Sequence, residues 1–272
     1  MPIVIDKDIP AYSILGAEKI FVMEKNRAST QDIRPIEIAL LNLMPTKVET
    51  ETQFMRLLSN SPLQVNITLV HTQSYRSKNT EAAYLDRFYK SFEEIKNRRF
   101  DGMIVTSTIF ICWGAMAALN YFYGVPKRNL KEKLFGVYAH RRNGTNDPEP
   151  LMRGISDEFH MPHSRHATVL KKDVMKHPEL KILASSKKAG ATIIASQDDR
   201  QIFVMGHMEY DRYTLKKEYE RDLKKGMPIQ KPFCYFADES CTKVNMNWSS
   251  TANLFYNNWL NYCVYQVTPY KL

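Results

Sequence analysis

The chain has 272 residues, 44% hydrophobic and 25% charged, with a formal net charge of +9, a profile that fits a soluble globular protein with room for a sizeable core. Its basic residues fall in scattered pairs such as Arg98-Arg99, Arg141-Arg142 and Lys224-Lys225; that reads as a solvated surface and excludes a long basic arm or a nucleic-acid-binding module. No apolar run reaches about 18 residues and no signal peptide opens the chain, so no membrane span is expected. The four cysteines, Cys112, Cys234, Cys241 and Cys263, lack zinc spacing and fit free thiols in a reducing cytoplasm.

In chain order, residues 1–35 read as an irregular arm with one short strand, Lys19 to Met23. The nearly continuous apolar run from Ile36 to Met44 is expected for a strand buried on both faces. Pro45 ends it, and a helix follows to about Asn60 with Phe54, Leu57 and Leu58 at helical spacing. Leu63 to Thr72 alternates as a strand. Asn79 or Thr80 is placed to cap a long helix carrying Leu85, Phe88, Phe92 and Ile95 on one stripe. After Phe100-Asp101-Gly102 a single β-branched strand is expected from Met103 to Ile111.

That strand stops at Cys112, and small, helix-compatible residues follow it (Gly114, Ala115, Ala117, Ala118). This is the pattern of a strand–turn–helix elbow, which lifts one side chain out of the sheet beside the first N–H groups of a helix, where a thiolate is favoured. Taken alone, a core cysteine fits the run better. Gly124-Val125-Pro126 closes the helix. Leu134 to Ala139 reads as a strand, Arg141 to Pro150 as a loop, and Phe159 to Val169 as an extended segment holding Pro162-His163-Ser164-Arg165-His166. Leu180 to Ala184, Ala191 to Ser196 and Gln201 to Met205 are short strands joined by hairpin turns. A charged helix from Tyr213 to Lys225, a long polar loop with aromatics, and a C-terminal helix from Ala252 to Gln266 complete the chain. Strand–helix alternation in the first half implies a three-layer α/β core on a mostly parallel sheet, and the meander in the second half implies an antiparallel extension.

Gly206-His207-Met208-Glu209 supplies a partner for Cys112. His207 lies just past a strand end, where parallel sheets place their sites, and Glu209 can turn back to its imidazole. A sulfur nucleophile, a base and an orienter for that base make a Cys–His–Glu triad, with backbone N–H groups beside Cys112 available to an oxyanion.

Several stretches together resemble the homoserine O-acyltransferases of methionine biosynthesis, relatives of class I glutamine amidotransferases. They include Leu41-Asn42-Leu43-Met44-Pro45-Thr46-Lys47, Ile111-Cys112-Trp113-Gly114-Ala115, Pro162-His163-Ser164-Arg165, Gly206-His207-Met208-Glu209-Tyr210 and Glu218-Tyr219-Glu220-Arg221-Asp222, and they run in family order over the whole chain. The resemblance implies one domain over residues 1–272 with the fold of a class I glutamine amidotransferase. It implies that Cys112 takes the acyl group, His207 is the base and Glu209 its orienter. Lys133, Ser164 and Arg221 match substrate-binding positions, and Lys47 a family lysine near the site. Lys133 and Arg221 read as plain surface charge without it. The implied partners are L-homoserine and acetyl-CoA or succinyl-CoA, acetyl favoured, with a homodimer left open. Acyl-CoA is then a co-substrate, and no metal or other cofactor is called for.

One departure from the family is large. About 30 residues between the Phe-Asp-Gly strand and the elbow strand are missing, the scale of a strand with its crossover helix. The missing segment includes the position that discriminates acetyl from succinyl donors. Parallel neighbours need a crossover, so one core strand and helix are expected to be absent. A homologue impaired by that loss is the alternative to an active acyltransferase.

Overall fold

The computed structural model describes residues 3–30, 34–44, 46–72, 80–104, 109–144 and 149–267. Chain contacts divide the protein into two units, one formed by Met1–Thr108 with Tyr256–Leu272 and the other by Ile109–Phe255.

The first unit is built on parallel pairing. Its strands are β1 (Ile3–Val4), β2 (Val22–Met23), β3 (Ile36–Leu41), β4 (Val65–His71), β5 (Tyr89–Ser91) and β6 (Gly102–Ile104). They lie in the order β2-β1-β4-β3-β6, with β5 also on β4. The register Ile36↔Val65 to Leu41↔Val70 locks the two longest strands together. Ile38, Ala39 and Leu40 are fully buried in succession, as expected where both sheet faces are covered. The helices are α1 (Pro10–Ala17), α2 (Lys25–Ala28), α3 (Lys47–Ser59), α4 (Ala82–Phe88) and α5 (Phe92–Ile95).

Two sequence expectations change here. The arm over residues 1–35 contains β1, α1 and α2 besides the expected short strand; Pro10 occupies the first turn of α1, and Ala11 and Leu15, four residues apart, are its buried positions. The long helix expected from Asn79 or Thr80 is interrupted. Asn79 lies outside the described residues, and α4 and α5 are separated by β5, which pairs Leu69↔Tyr89 to His71↔Ser91. Tyr89 and Ser91 are buried around an exposed Lys90, so pairing with β4 imposes a period of two on a stretch whose apolar stripe read as 3.6. Phe92, placed on that stripe, is 62% exposed. Ser91 instead caps α5 in a reciprocal capping box with Glu94.

The second unit contains β7 (Ile109–Ile111), β8 (Arg128–Arg142), β9 (Glu158–Thr168), β10 (Leu180–Ser186), β11 (Gly190–Ser196) and β12 (Ile202–Val204). Their order is β7-β12-β11-β10-β8-β9. Among the described residues β7 pairs with β12 in parallel, and the other strand pairs within this unit are antiparallel. The helices are α6 (Trp113–Tyr123), α7 (Lys171–Val174), α8 (Thr214–Lys224) and α9 (Ser249–Asn258), and α9 runs on into a wider-wound stretch, Trp259–Tyr265, in the first unit. The single strand expected over Met103–Ile111 is thus two, β6 in one unit and β7 in the other, with residues 105–108 outside the described residues. Ala115, Met116, Ala118 and Leu119 of α6 pack with Phe110, Val174, Ile194 and Phe203, and the Phe110 and Phe203 rings stack at 5.1 Å. Each large side chain so buried contributes about 1.5–3 kcal/mol, which anchors the start of α6 against β7 and β12.

Candidate active site

The parallel register Ile109↔Ile202 to Ile111↔Val204 brings the C-terminal ends of β7 and β12 side by side. Cys112 follows one strand directly and His207 follows the other by three residues, so both emerge at the same sheet edge. The Cys112 N–H donates to Val204 O at 2.7 Å. Cys112 itself has φ +50° and caps α6, a backbone conformation that costs a non-glycine residue about 1–3 kcal/mol and collects at functional turns. Its own N–H is therefore occupied, whereas the first-turn N–H groups of α6 have no intrahelical acceptor.

His207 is held from three sides. Its backbone N–H donates to Pro162 O of β9 at 2.8 Å. Its Nδ1 lies 2.6 Å from Glu209 Oε1, and the Cys112 side chain lies within electrostatic reach of its ring. Gly206 permits this approach: a Cβ there would sit 2.7 Å from Pro162 O and 2.8 Å from Met161. The imidazole is almost fully enclosed, and burial alone favours its neutral form. The Cys112 sulfur and the Glu209 carboxylate more than offset that and raise its pKa well above the usual histidine value. Glu209 is itself buried, and its second oxygen has no hydrogen-bond partner among the described residues.

Tyr210 stacks on the His207 ring at 4.2 Å between centroids and leads to a second cluster around Glu218 of α8. Glu218 accepts from Tyr210 Oη at 2.8 Å and from Ser164 Oγ at 2.5 Å. Lys133 Nζ lies 3.6 Å from Glu218 and 3.4 Å from Asp222. Arg221 donates Nε to Asp222 Oδ1 at 2.7 Å with its side chain half exposed. That bond raises the arginine's pKa and lowers the aspartate's. Lys133, Ser164 and Arg221, far apart in sequence, are thus gathered around two carboxylates that the residue-by-residue reading left without a role. Both lie in the Glu218-Tyr219-Glu220-Arg221-Asp222 stretch, and their spacing of four on a helix was the available signal.

Arg165 is a further unassigned residue. Its buried guanidinium donates to Ala167 O at 2.5 Å, Ala189 O at 2.7 Å and His163 Nδ1 at 3.3 Å. Burial lowers its pKa to about 10, against the opposing pull of Cys112 and Tyr138. His163 Nε2 in turn meets His140 Nε2 at 3.0 Å. Burial holds both imidazoles well below the ordinary value, His140 at about 3. A buried cation so fixed, within electrostatic reach of the sulfur, has no periodic sequence signature.

Lys47 lies in the first unit, buried at the start of α3, with Nζ donating to Asn42 O at 2.5 Å. Among the described residues no group of three or more His, Cys, Asp or Glu is placed to hold a metal ion, and no helix is long and apolar enough to cross a membrane.

Sheet edge, elbow and dyad define the class: an α/β protein with a cysteine at a strand-to-helix elbow and a histidine–glutamate pair at the same sheet edge. The family model described as homoserine O-succinyltransferase matches residues 2–107 and 105–270. A homoserine O-acetyltransferase of Clostridium acetobutylicum is 50% identical over all of this chain and all of its own length, and one of Agathobacter rectalis is 49% identical over all of this chain and 97% of its own. The chain belongs to this homoserine O-acyltransferase family. The alignment with the Agathobacter rectalis protein runs over 302 positions against 272 residues here, so 30 have no counterpart, and the two parts of the family match meet at residues 105–107. Among solved structures, a glutamine amidotransferase from Thermotoga maritima covers 84% of this chain and 97% of its own at 12% identity and a TM-score of 0.49; that distance carries no further conclusion.

Proposed function

We propose that the protein transfers an acetyl group from acetyl-CoA to the hydroxyl of L-homoserine through a thioester on Cys112, giving O-acetylhomoserine. Both units are read as parts of one homoserine O-acyltransferase domain, since the family match spans both. The observation that carries the reading is His207 bonded to Glu209 at 2.6 Å at the sheet edge where Cys112 also emerges, within electrostatic reach of its sulfur. A histidine with a raised pKa holds a proton next to Cys112. The thiolate attacks the thioester carbonyl, the carbonyl carbon's bond to the CoA sulfur breaks, and His207 gives its proton to that leaving sulfur. Neutral His207 then accepts the hydroxyl proton of homoserine as that oxygen attacks the acyl-cysteine, and Cys112 departs as thiolate, which closes the cycle. The oxyanion of both tetrahedral states lies within reach of the unpaired N–H groups at the start of α6. Arg221, on the rim of the Glu218 cluster, is suited to the substrate carboxylate because its fork keeps free donors beyond the Asp222 bond. The names of relatives at 46–50% identity favour acetyl as the group transferred.

The test is purified protein with acetyl-CoA and homoserine, followed by thiol release. Steady release that requires both substrates is expected; none with acetyl-CoA or succinyl-CoA contradicts the reading, and release with succinyl-CoA alone reassigns the donor. The 30 unmatched positions favour one second reading, an impaired homologue. Complementation of a strain unable to acylate homoserine decides against it.

A further inference from the structure

The second unit contains a cavity of about 710 Å³ lined by residues of β8, the β10–β11 turn and the loop after α8, within the usual range for small-molecule sites. Its shape begins with an irregularity in β8. Asn129 pairs with Ala167 and Leu134 with Arg165, so Leu130 to Lys133 stand opposite the single residue His166. A bulge of this size turns side chains out of the ladder, and all four residues face the cavity.

The opposite wall is held equally firmly. Phe233 donates to Phe135 O at 2.9 Å and accepts from Val137 N–H at 2.8 Å. This needs Gly136, at φ +138°, where a Cβ would come within 2.3 Å of the Phe233 backbone. The Phe233 ring, 40% exposed, carries the Lys188 ammonium 3.7 Å from its centroid, a contact that positions the charge without neutralising it.

The wall is strongly cationic. Lys131, Lys188 and Lys231 line it and are ion-paired with no carboxylate among the described residues. Of the two acids in the lining, Asp222 is already paired with Lys133 and Arg221, which leaves Glu132. Met227, Pro228 and Ile229 add an apolar side. At one end the cavity reaches Lys133 and Asp222, and from there Glu218 and Tyr210 lead in direct contacts to His207.

We propose that this cavity binds the nucleotide end of the acyl donor, with its phosphates against Lys131, Lys188 and Lys231 and its thioester arm running past Lys133 to Cys112. The proposal deepens the acyltransferase reading and rests on it for the donor. Three cations without a carboxylate partner among the described residues, Lys231 donating only to the Glu239 carbonyl at 2.9 Å, match a ligand that carries a diphosphate and a further phosphomonoester. The apolar side suits the arm between phosphate and sulfur.

The test compares two donors, acetyl-CoA and S-acetylpantetheine, which lacks the nucleotide. Lys188→Glu, and separately Lys131→Glu with Lys231→Glu, are checked for an unchanged melting profile. Each is expected to raise KM for acetyl-CoA about tenfold more than KM for S-acetylpantetheine. Adenosine 3′,5′-bisphosphate is expected to bind the native protein in calorimetry and to bind the Lys188→Glu variant at least about tenfold more weakly. Equal effects on the two donors, or unaltered binding of the bisphosphate, overturn the proposal. Lysine-dependent bisphosphate binding without any turnover would keep the cavity assignment and remove the acyltransferase reading.

Discussion

Each unit buries a cluster of ionisable side chains, and the two clusters behave oppositely. In the first unit Lys47 and Glu51 lie beside Tyr84 and Tyr89, whose hydroxyls donate to the Glu51 carboxylate. Burial is the largest influence on both; it lowers the lysine and raises the carboxyl, so each is pressed toward its neutral form. In the second unit His207 is also buried, yet Cys112 and Glu209 outweigh desolvation and raise its pKa well above the ordinary value. Depth is therefore not what separates them. The difference lies in how many opposite charges touch the buried group and how directly. A cluster that holds separated charge against its surroundings is equipped to move a proton, whereas one that suppresses charge serves mainly to fill and fix a core.

Removing the sulfur gives the sharpest contrast. Cys112→Ala is expected to lower turnover by at least about 10³-fold, measured as thiol release, and to leave the fold cooperative. Next is Glu209→Gln, which keeps the shape but weakens the hold on Nδ1; kcat is expected to fall about 10²–10⁴-fold with little change in KM for either substrate. A loss confined to KM would assign Glu209 to binding.

The sign of the pH dependence separates the clusters further. His207 has a folded pKa above its unfolded value of about 6.5. It thus contributes stability that is fully present below about pH 6.5 and is lost as pH rises through the raised folded value. The melting temperature of the native protein should fall more steeply on the alkaline side than that of Cys112→Ala, in which the main raising partner is gone. Identical alkaline slopes would mean that the sulfur does not hold the His207 proton.

Two structural predictions follow in decreasing size. Gly136→Ala places a Cβ against the Phe233 backbone at a strained φ and is expected to cost about 2–4 kcal/mol in denaturant unfolding. Glu51→Gln is expected to change stability at pH 7 by no more than about 1 kcal/mol. Glu51, also raised on folding, loses its stabilising proton between its unfolded value of about 4.3 and the raised folded one. The glutamine variant should flatten that acidic part of the stability profile and leave the alkaline part unchanged.

Much of this arrangement was legible from residues. The run Ile36 to Leu41 follows directly from burial on both faces; the sequence alternation in Val65 to His71 also marks a strand, although adjacent Leu69 and Val70 are both buried. The elbow was readable because Cys112 sits between β-branched and small residues, and the His207–Glu209 pairing because Gly206-His207-Met208-Glu209 follows a strand. Where local pattern and tertiary pairing disagreed, the sequence misled. Phe88, Phe92 and Ile95 suggest one helix, but Tyr89 and Ser91 are drawn into pairing with β4. The strand expected over Leu134 to Ala139 begins earlier, at Arg128, and runs to Arg142, since a bulged strand at a cavity wall carries no alternation. Glu218 and Asp222 meet Ser164 and Lys133 from distant parts of the chain, and only their spacing of four on α8 hints at them; Arg165 is fixed by His163, Ala167 and Ala189, and no periodicity marks it.

The central claim is that Cys112 carries the acyl group while His207 relays the proton. Mass spectrometry of peptides after incubation with acetyl-CoA alone tests it most directly. One acetyl group on the Cys112 peptide, discharged when homoserine is added and absent in Cys112→Ala, is the predicted result. An unmodified Cys112 alongside full turnover, or an acetyl group on another residue that homoserine discharges, would contradict it.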